Sequence, residues 1–117
     1  MSTHTSSINV NAMSERVKLE LVSGSRGDGD LLTNDILDTL SRDHCSRVRQ
    51  RVAQHWMTPP EILERLALDP DKGTRYRVAC NPATPLQTLL ILMVDSDALV
   101  ARSASRSLNK ETSANIL

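Results

Sequence analysis

The sequence predicts an all-α fold, a solenoid of about three 26-residue helical repeats. Three observations carry this expectation. Residues 31–56 and 57–82 align without gaps and share eight identities, and 57–82 shares six with 83–108; unrelated windows of this length share about one or two. The identities fall at turns and at apolar positions three or four apart, the spacing of one helical face. Aromatic residues are nearly absent: Trp56, Tyr76 and no Phe. The core must therefore come from Leu, Ile, Val and Ala, which suits thin stacked helices better than a sheet sandwich.

Taken in order, residues 1–30 form an N-terminal segment. Residues 1–13 are rich in Ser, Thr and Asn and read as disordered. Ser14–Val22 reads as a short capping helix opened by Ser14, with Val17 and Leu21 on one face; the alternation of Val17, Leu19 and Leu21 would also suit a strand. Ser23–Asp30 holds three glycines in eight residues and reads as a flexible linker. Its Arg26-Gly27-Asp28 is a tripeptide that some extracellular adhesion proteins use, but without an export signal chance is the better explanation. Asp28 and Asp30 lack the further ligands of a calcium loop.

The repeat domain covers 31–108, with 109–117 as a C-terminal tail or cap. Each unit opens with a helix, at about 34–42, 59–68 and 85–94. In the middle copy Thr58 is the expected N-cap, Pro59 the first helical residue and Glu61 the capping-box partner. Ile62, Leu63 and Leu66 then share a face. A turn follows at Asp43, Asp69-Pro70-Asp71 or Asp95-Ser96-Asp97, and a second helix at about 45–54, 73–80 and 98–107 carries Val48/Val52, Val78 and Val100/Ala104 inward. It ends at His55-Trp56 or Asn81-Pro82, where proline forbids continuation. Helices this short do not persist alone in water, so each must bury its stripe against the neighbouring unit.

The run Arg75-Tyr-Arg-Val-Ala-Cys-Asn-Pro-Ala-Thr-Pro-Leu-Gln-Thr-Leu-Leu-Ile-Leu-Met-Val-Asp95 resembles the leucine-rich repeat variant, a bacterial, HEAT-like α-solenoid repeat family. The resemblance covers residues 31–108 and implies a right-handed superhelix in which α-helices alternate with shorter helices of 3₁₀ or α type, the Val-Arg-x-x-Val-Ala segment being the tighter one. One member of that family carries an iron–sulfur cluster on a cysteine-rich N-terminal segment; this chain has no cysteine before Cys45, so no cofactor is carried over. The third copy departs from the pattern: Ala101 stands where Arg49 and Arg75 do, and Ser105 where Ala53 and Ala79 do.

Fourteen basic and fourteen acidic side chains leave no net charge to draw in nucleic acid or anionic membrane. The longest apolar run, Leu89–Val94, is far too short to span a bilayer. Residues 1–22 lack the basic-then-apolar pattern of a secretory signal, so Cys45 and Cys80 read as reduced thiols of a cytoplasmic protein.

No catalytic constellation stands out, and the expectation is a non-enzyme. Asp43, Asp69 and Asp95 recur with Arg49 and Arg75, which reads as a structural ladder: the aspartates cap the second helix or accept from the arginine six residues on. His44, Cys45 and His55 lack the fourth ligand of a structural zinc site, so no metal is expected. Two features point to binding. Arg49, Arg51, Arg75 and Arg77 would align into a basic ridge, able to meet an acidic protein partner or, as the alternative function, nucleic acid. Against the alternative, residues 31–117 carry a net charge of only +1 and lack aromatic stacking platforms. Leu90 and Ile91 align with Glu64/Arg65 and Asp38/Thr39, which are solvent positions, so they mark a contact surface covered by the C-terminal tail, by a second copy or by another protein. The expected function is protein–protein interaction or scaffolding, with these six residues as candidate partner-binding side chains.

Overall fold

The computed structural model describes residues 9–23 and 32–116. The Ser/Thr-rich stretch before Asn9 and the Gly-rich segment with Arg26-Gly27-Asp28 fall outside these residues, so the expectations of disorder and of a linker there are not addressed. Among the described residues every regular element is helical and none is a strand. A 3₁₀ turn at Val10–Ala12 precedes α1 (Glu15–Ser23), α2 (Asn34–Ser41), α3 (Ser46–Gln54), α4 (Pro60–Leu66), α5 (Lys72–Cys80), α6 (Leu86–Leu92) and α7 (Ala98–Ile116).

The helices pair in sequence, α2 with α3, α4 with α5 and α6 with α7. The second helix of each pair lies against the next, α3 on α5 and α5 on α7, and α1 joins the same row beside α3. The molecule measures 50 × 31 × 22 Å, longest as a row of laterally packed helices would be. Burial follows the 26-residue period. Leu37, Leu63 and Leu89 are buried, as are Leu40, Leu66 and Leu92, and Val52, Val78 and Ala104. All belong to one core cluster, which α1 and the 3₁₀ turn extend with Val22 and Val10. Val10 is 5% exposed, so the expectation of disorder through residue 13 fails for its last five residues: an apolar side chain anchors them.

The α1 segment is the expected helix rather than the alternative strand, with Ser14 Oγ accepting from the Val17 N–H at 3.3 Å. Several other local expectations are corrected. The second helices are α-helices, and α3 and α5 are at least as long as the first helices, not tighter. Thr58 does not cap α4. Pro59 occupies the cap without a side-chain bond, because Pro60 takes the first helical position. The Thr58 hydroxyl instead donates backward to the Val52 carbonyl at 2.6 Å, and Thr84 does the same to Val78 at 2.7 Å. Thr33, aligned with Pro59, is the threonine that caps, accepting from the Ile36 N–H at 3.2 Å.

The C-terminal end also differs. Asn81 stops α5 in extended geometry, as the residue before Pro82 must. The aligned pair in the third copy is Ser107-Leu108, with no proline, so α7 runs through to Ile116. The expected helix end at 107 and the separate tail from 109 give way to one continuous helix.

Candidate functional site

The recurring acidic and basic residues resolve into one interlocking ladder. Arg49 Nε and Nη2 donate to both oxygens of Asp69 at 2.8 and 3.1 Å, while Nη1 donates to the Asp43 carbonyl at 2.7 Å. One unit on, Arg75 grips Asp95 at 2.8 and 3.1 Å and the Asp69 carbonyl at 2.8 Å. Each arginine therefore clamps the turn of its own pair to the aspartate of the next. This corrects the expected pairing: the arginine six residues on takes the backbone oxygen, and the carboxylate goes to the arginine twenty residues earlier. Each carboxylate also accepts the backbone N–H two residues on, from Cys45, Asp71 or Asp97, at 2.8–2.9 Å. The second-helix cap is the following acid: Asp71 accepts from the Thr74 N–H and Asp97 from the Val100 N–H.

Asp43 has no repeat arginine ahead of it, and Lys18 of α1 fills the place, its Nζ bonded to the carboxylate with both side chains almost fully buried. Burial alone would raise the Asp43 pKa, but Lys18 and the Cys45 N–H outweigh it and hold the group below its ordinary value. Asp95 is held low the same way by Arg75 and the Asp97 N–H. At the other end Ala101 stands where the next arginine would, so the ladder stops at Asp95.

A second ladder ties the helix C-termini together. Asn81 Nδ2 donates to the carbonyls of Ala53 and His55 at 2.8 and 3.1 Å, and the aligned Ser107 donates to Ala79 at 2.7 Å. His55, at the Asn81 position of the first unit, accepts the Met57 N–H on Nδ1 at 3.0 Å, and burial lowers its pKa.

The four candidate arginines thus split. Arg49 and Arg75 reach forward into ion pairs and are only 15% and 16% exposed; they do not form an open ridge. Arg51 and Arg77 reach back along the row, Arg51 to the Ser23 hydroxyl and Arg77 to the side-chain amide oxygen Oε1 of Gln54. Arg51 also lines an open groove of about 470 Å³ with Arg16, Arg47, Glu15 and Glu20, where two carboxylates offset most of the positive charge.

Leu90 and Ile91 are exposed, at 52% and 53%. They do not stand alone. Of the nine exposed large apolar side chains among the described residues, six lie between Leu86 and Leu99: Leu86, Leu90, Ile91, Met93, Val94 and Leu99. The two expected residues also serve different seams. Arg65, aligned with Ile91, reaches back from α4 to Asp38 at 3.0 Å and to the Ser41 hydroxyl. By alignment Ile91 stands at the position from which Arg65 reaches back, and Leu90 at the Asp38 position, which receives the following pair. Met93 was missed because the alignment alone does not show that Ser41 and Ala67, its counterparts, are each 3% exposed beneath a following pair.

Among the described residues no three His, Cys, Asp or Glu side chains are grouped to hold a metal ion, and no helix is long and apolar enough to cross a membrane. Cys45 and Cys80 are free thiols. Comparison of the chain with protein-family models, with curated proteins and with solved structures finds no match.

Proposed function

We propose that this chain is a non-enzymatic protein-interaction or scaffold module of the cytoplasm. In this reading its three helix pairs are repeats of a right-handed α-solenoid of the leucine-rich-repeat-variant kind, and its contact surface lies on the third pair. The observation that carries the proposal is the concentration of exposed apolar side chains on α6 and the start of α7. A row of apolar residues left in water favours cover by another surface. The ladders support a rigid frame behind it, since bidentate arginine–carboxylate pairs fix geometry as well as charge. The free thiols suit a reducing compartment. Nucleic-acid binding through the arginine set has weaker support, because Arg49 and Arg75 are already committed to Asp69 and Asp95.

The test compares wild type with Leu90→Glu combined with Ile91→Arg, in sedimentation velocity and in pulldowns from the native host. The expected result is an unchanged helical spectrum with loss of a self-association or of a recovered protein. If sedimentation and recovered proteins are identical for the two, the contact surface is not on α6.

A further inference from the structure

The third pair presents to solvent a face that in the first two pairs is partly covered by their successors: Ser41 and Ala67, Ala53 and Ala79, and Arg49 and Arg75 are covered there, while Asp38 is half-exposed and Glu64, Gln54 and Cys80 are exposed. In the first pair that face receives Arg65 on Asp38 and Ser41, Asp69 on Arg49, Asp71 on Gln50 and Asn81 on the Ala53 carbonyl. It is thus a surface shaped to take helices from the C-terminal side. At the third pair the same positions are occupied by Leu90 on α6 and Met93 at its C-cap, and by Ala101, Arg102, Ser105 and Arg106 on α7. The register defines what has changed. Carboxylates at Asp38 and Glu64 become Leu90. The small Ser41 and Ala67 become Met93, 40% exposed where its counterparts are buried. The charged Arg49 and Arg75 become Ala101, so nothing here calls for the buried aspartate that a further repeat would bring. Neutral Gln50 and Tyr76 become Arg102, and neutral Gln54 and Cys80 become Arg106, both exposed. No carboxylate among the described residues forms an ion pair with either.

We infer that this end face is a docking site for an acidic amphipathic helix of another protein, laid across Leu90, Met93 and Ala101 with its carboxylates towards Arg102 and Arg106. This deepens the interaction role proposed above and rests on it. Helix-in-groove recognition needs an apolar stripe and flanking charge of the opposite sign. Alanine and serine at 101 and 105 let a helix approach closely, and two guanidinium groups one turn apart fix its charge pattern. Charge also disfavours a second copy on the same face, because a two-fold contact would bring Arg102 and Arg106 against their own counterparts.

The test uses the full chain and a fluorescent helical peptide of about 18 residues, with leucines at i, i+3, i+4 and i+7 and glutamates beside them. A second peptide carries lysine in place of every glutamate. The acidic peptide is expected to bind, more weakly as salt rises, and the lysine peptide to bind at least about tenfold less well. Leu90→Glu is expected to weaken the acidic peptide about tenfold or more, since it puts like charge into the apolar strip. Arg102→Glu with Arg106→Glu is expected to exchange the preference, taking the lysine peptide over the acidic one. All three positions are exposed, and melting curves check that each variant folds. Equal binding of the two peptides, or no exchange of preference in the charge-reversed variant, overturns the assignment. So does a concentration-dependent dimer that Leu90→Glu dissociates, because the occupant is then a second copy. If the acidic peptide fails while the Leu90/Ile91 variant still releases a recovered protein, the acidic helix is wrong and the interaction role survives. If the peptide fails and that variant changes nothing, both fall.

Discussion

At its N-terminal end the helix row closes on itself, and at its C-terminal end it does not. Lys18 reaches from α1 to Asp43 and substitutes for the arginine that a preceding repeat would supply, while Val10 and Val22 cover the apolar edge. At the far end Ala101 ends the ladder, and Leu90 and Met93 stay in water although Ser41 and Ala67, at Met93's position, are buried. A stack of short helices exposes a cut face at both ends unless something covers it. Here a helix outside the repeat register covers one cut, and the other is left apolar with a basic edge. That difference is the basis for proposing a contact surface at one end of the molecule rather than along its length.

The contrast can be broken most sharply at the two ladder termini. Lys18→Met leaves the buried Asp43 carboxylate uncompensated and should cost about 3 kcal/mol, read from denaturant unfolding. Ala101→Arg adds a cation with no aspartate to meet and should change stability by less than about 0.5 kcal/mol. Equal effects would mean that the ends are not different in kind. Next in size, Asn81→Ala removes two bonds at a buried site, to the carbonyls of Ala53 and of His55, the latter keeping the Thr58 N–H, and should cost about 2 kcal/mol, against about 1 kcal/mol for Ser107→Ala, which removes one bond at a half-buried site.

Thr88 offers a change of opposite sign. It is fully buried at the position of Ile36 and Ile62, and its hydroxyl has no hydrogen-bond partner. Thr88→Val keeps the shape and removes the orphaned hydroxyl, so unfolding should become harder by about 1 kcal/mol.

The smallest effects are those of pH. Burial lowers the His55 pKa in the folded state, so the unfolded chain binds the extra proton first. Stability should then fall as pH drops below the ordinary histidine value of 6.5. His55→Asn, which copies Asn81, should flatten that dependence in melting curves between about pH 7 and 5. Asp43 and Asp95, held low in the folded state, lose their contribution only on further acidification below the ordinary carboxylate value of 3.8.

The helical pairs, their inward residues and the exposure of Leu90 and Ile91 were legible because period and position alone decide them. Leucines at 37, 63 and 89 must point the same way if the units stack. What the chain could not reveal was reach. Arg49 lies six residues from Asp43 and twenty from Asp69, and only the packed geometry decides that the carboxylate used is the distant one. Lys18 escaped notice for a related reason: it lies 25 residues before Asp43, outside the Arg–Asp interval, and belongs to no copy of the repeat. Thr58 misled because a threonine before proline fits a capping template, whereas the second proline at Pro60 moves the cap one residue on. The open end face became visible only when Met93 could be compared with the buried Ser41 and Ala67.

Amide hydrogen exchange resolved helix by helix tests this difference between the ends most directly. A row closed in front and open behind predicts slow exchange in α3 and α5, faster exchange in α6 than in the equivalent α4, and selective loss of protection in α1 and α2 when Lys18 is replaced by Met. Protection in α6 equal to that in α4, or a Lys18→Met change felt equally by α6 and α7, would contradict it.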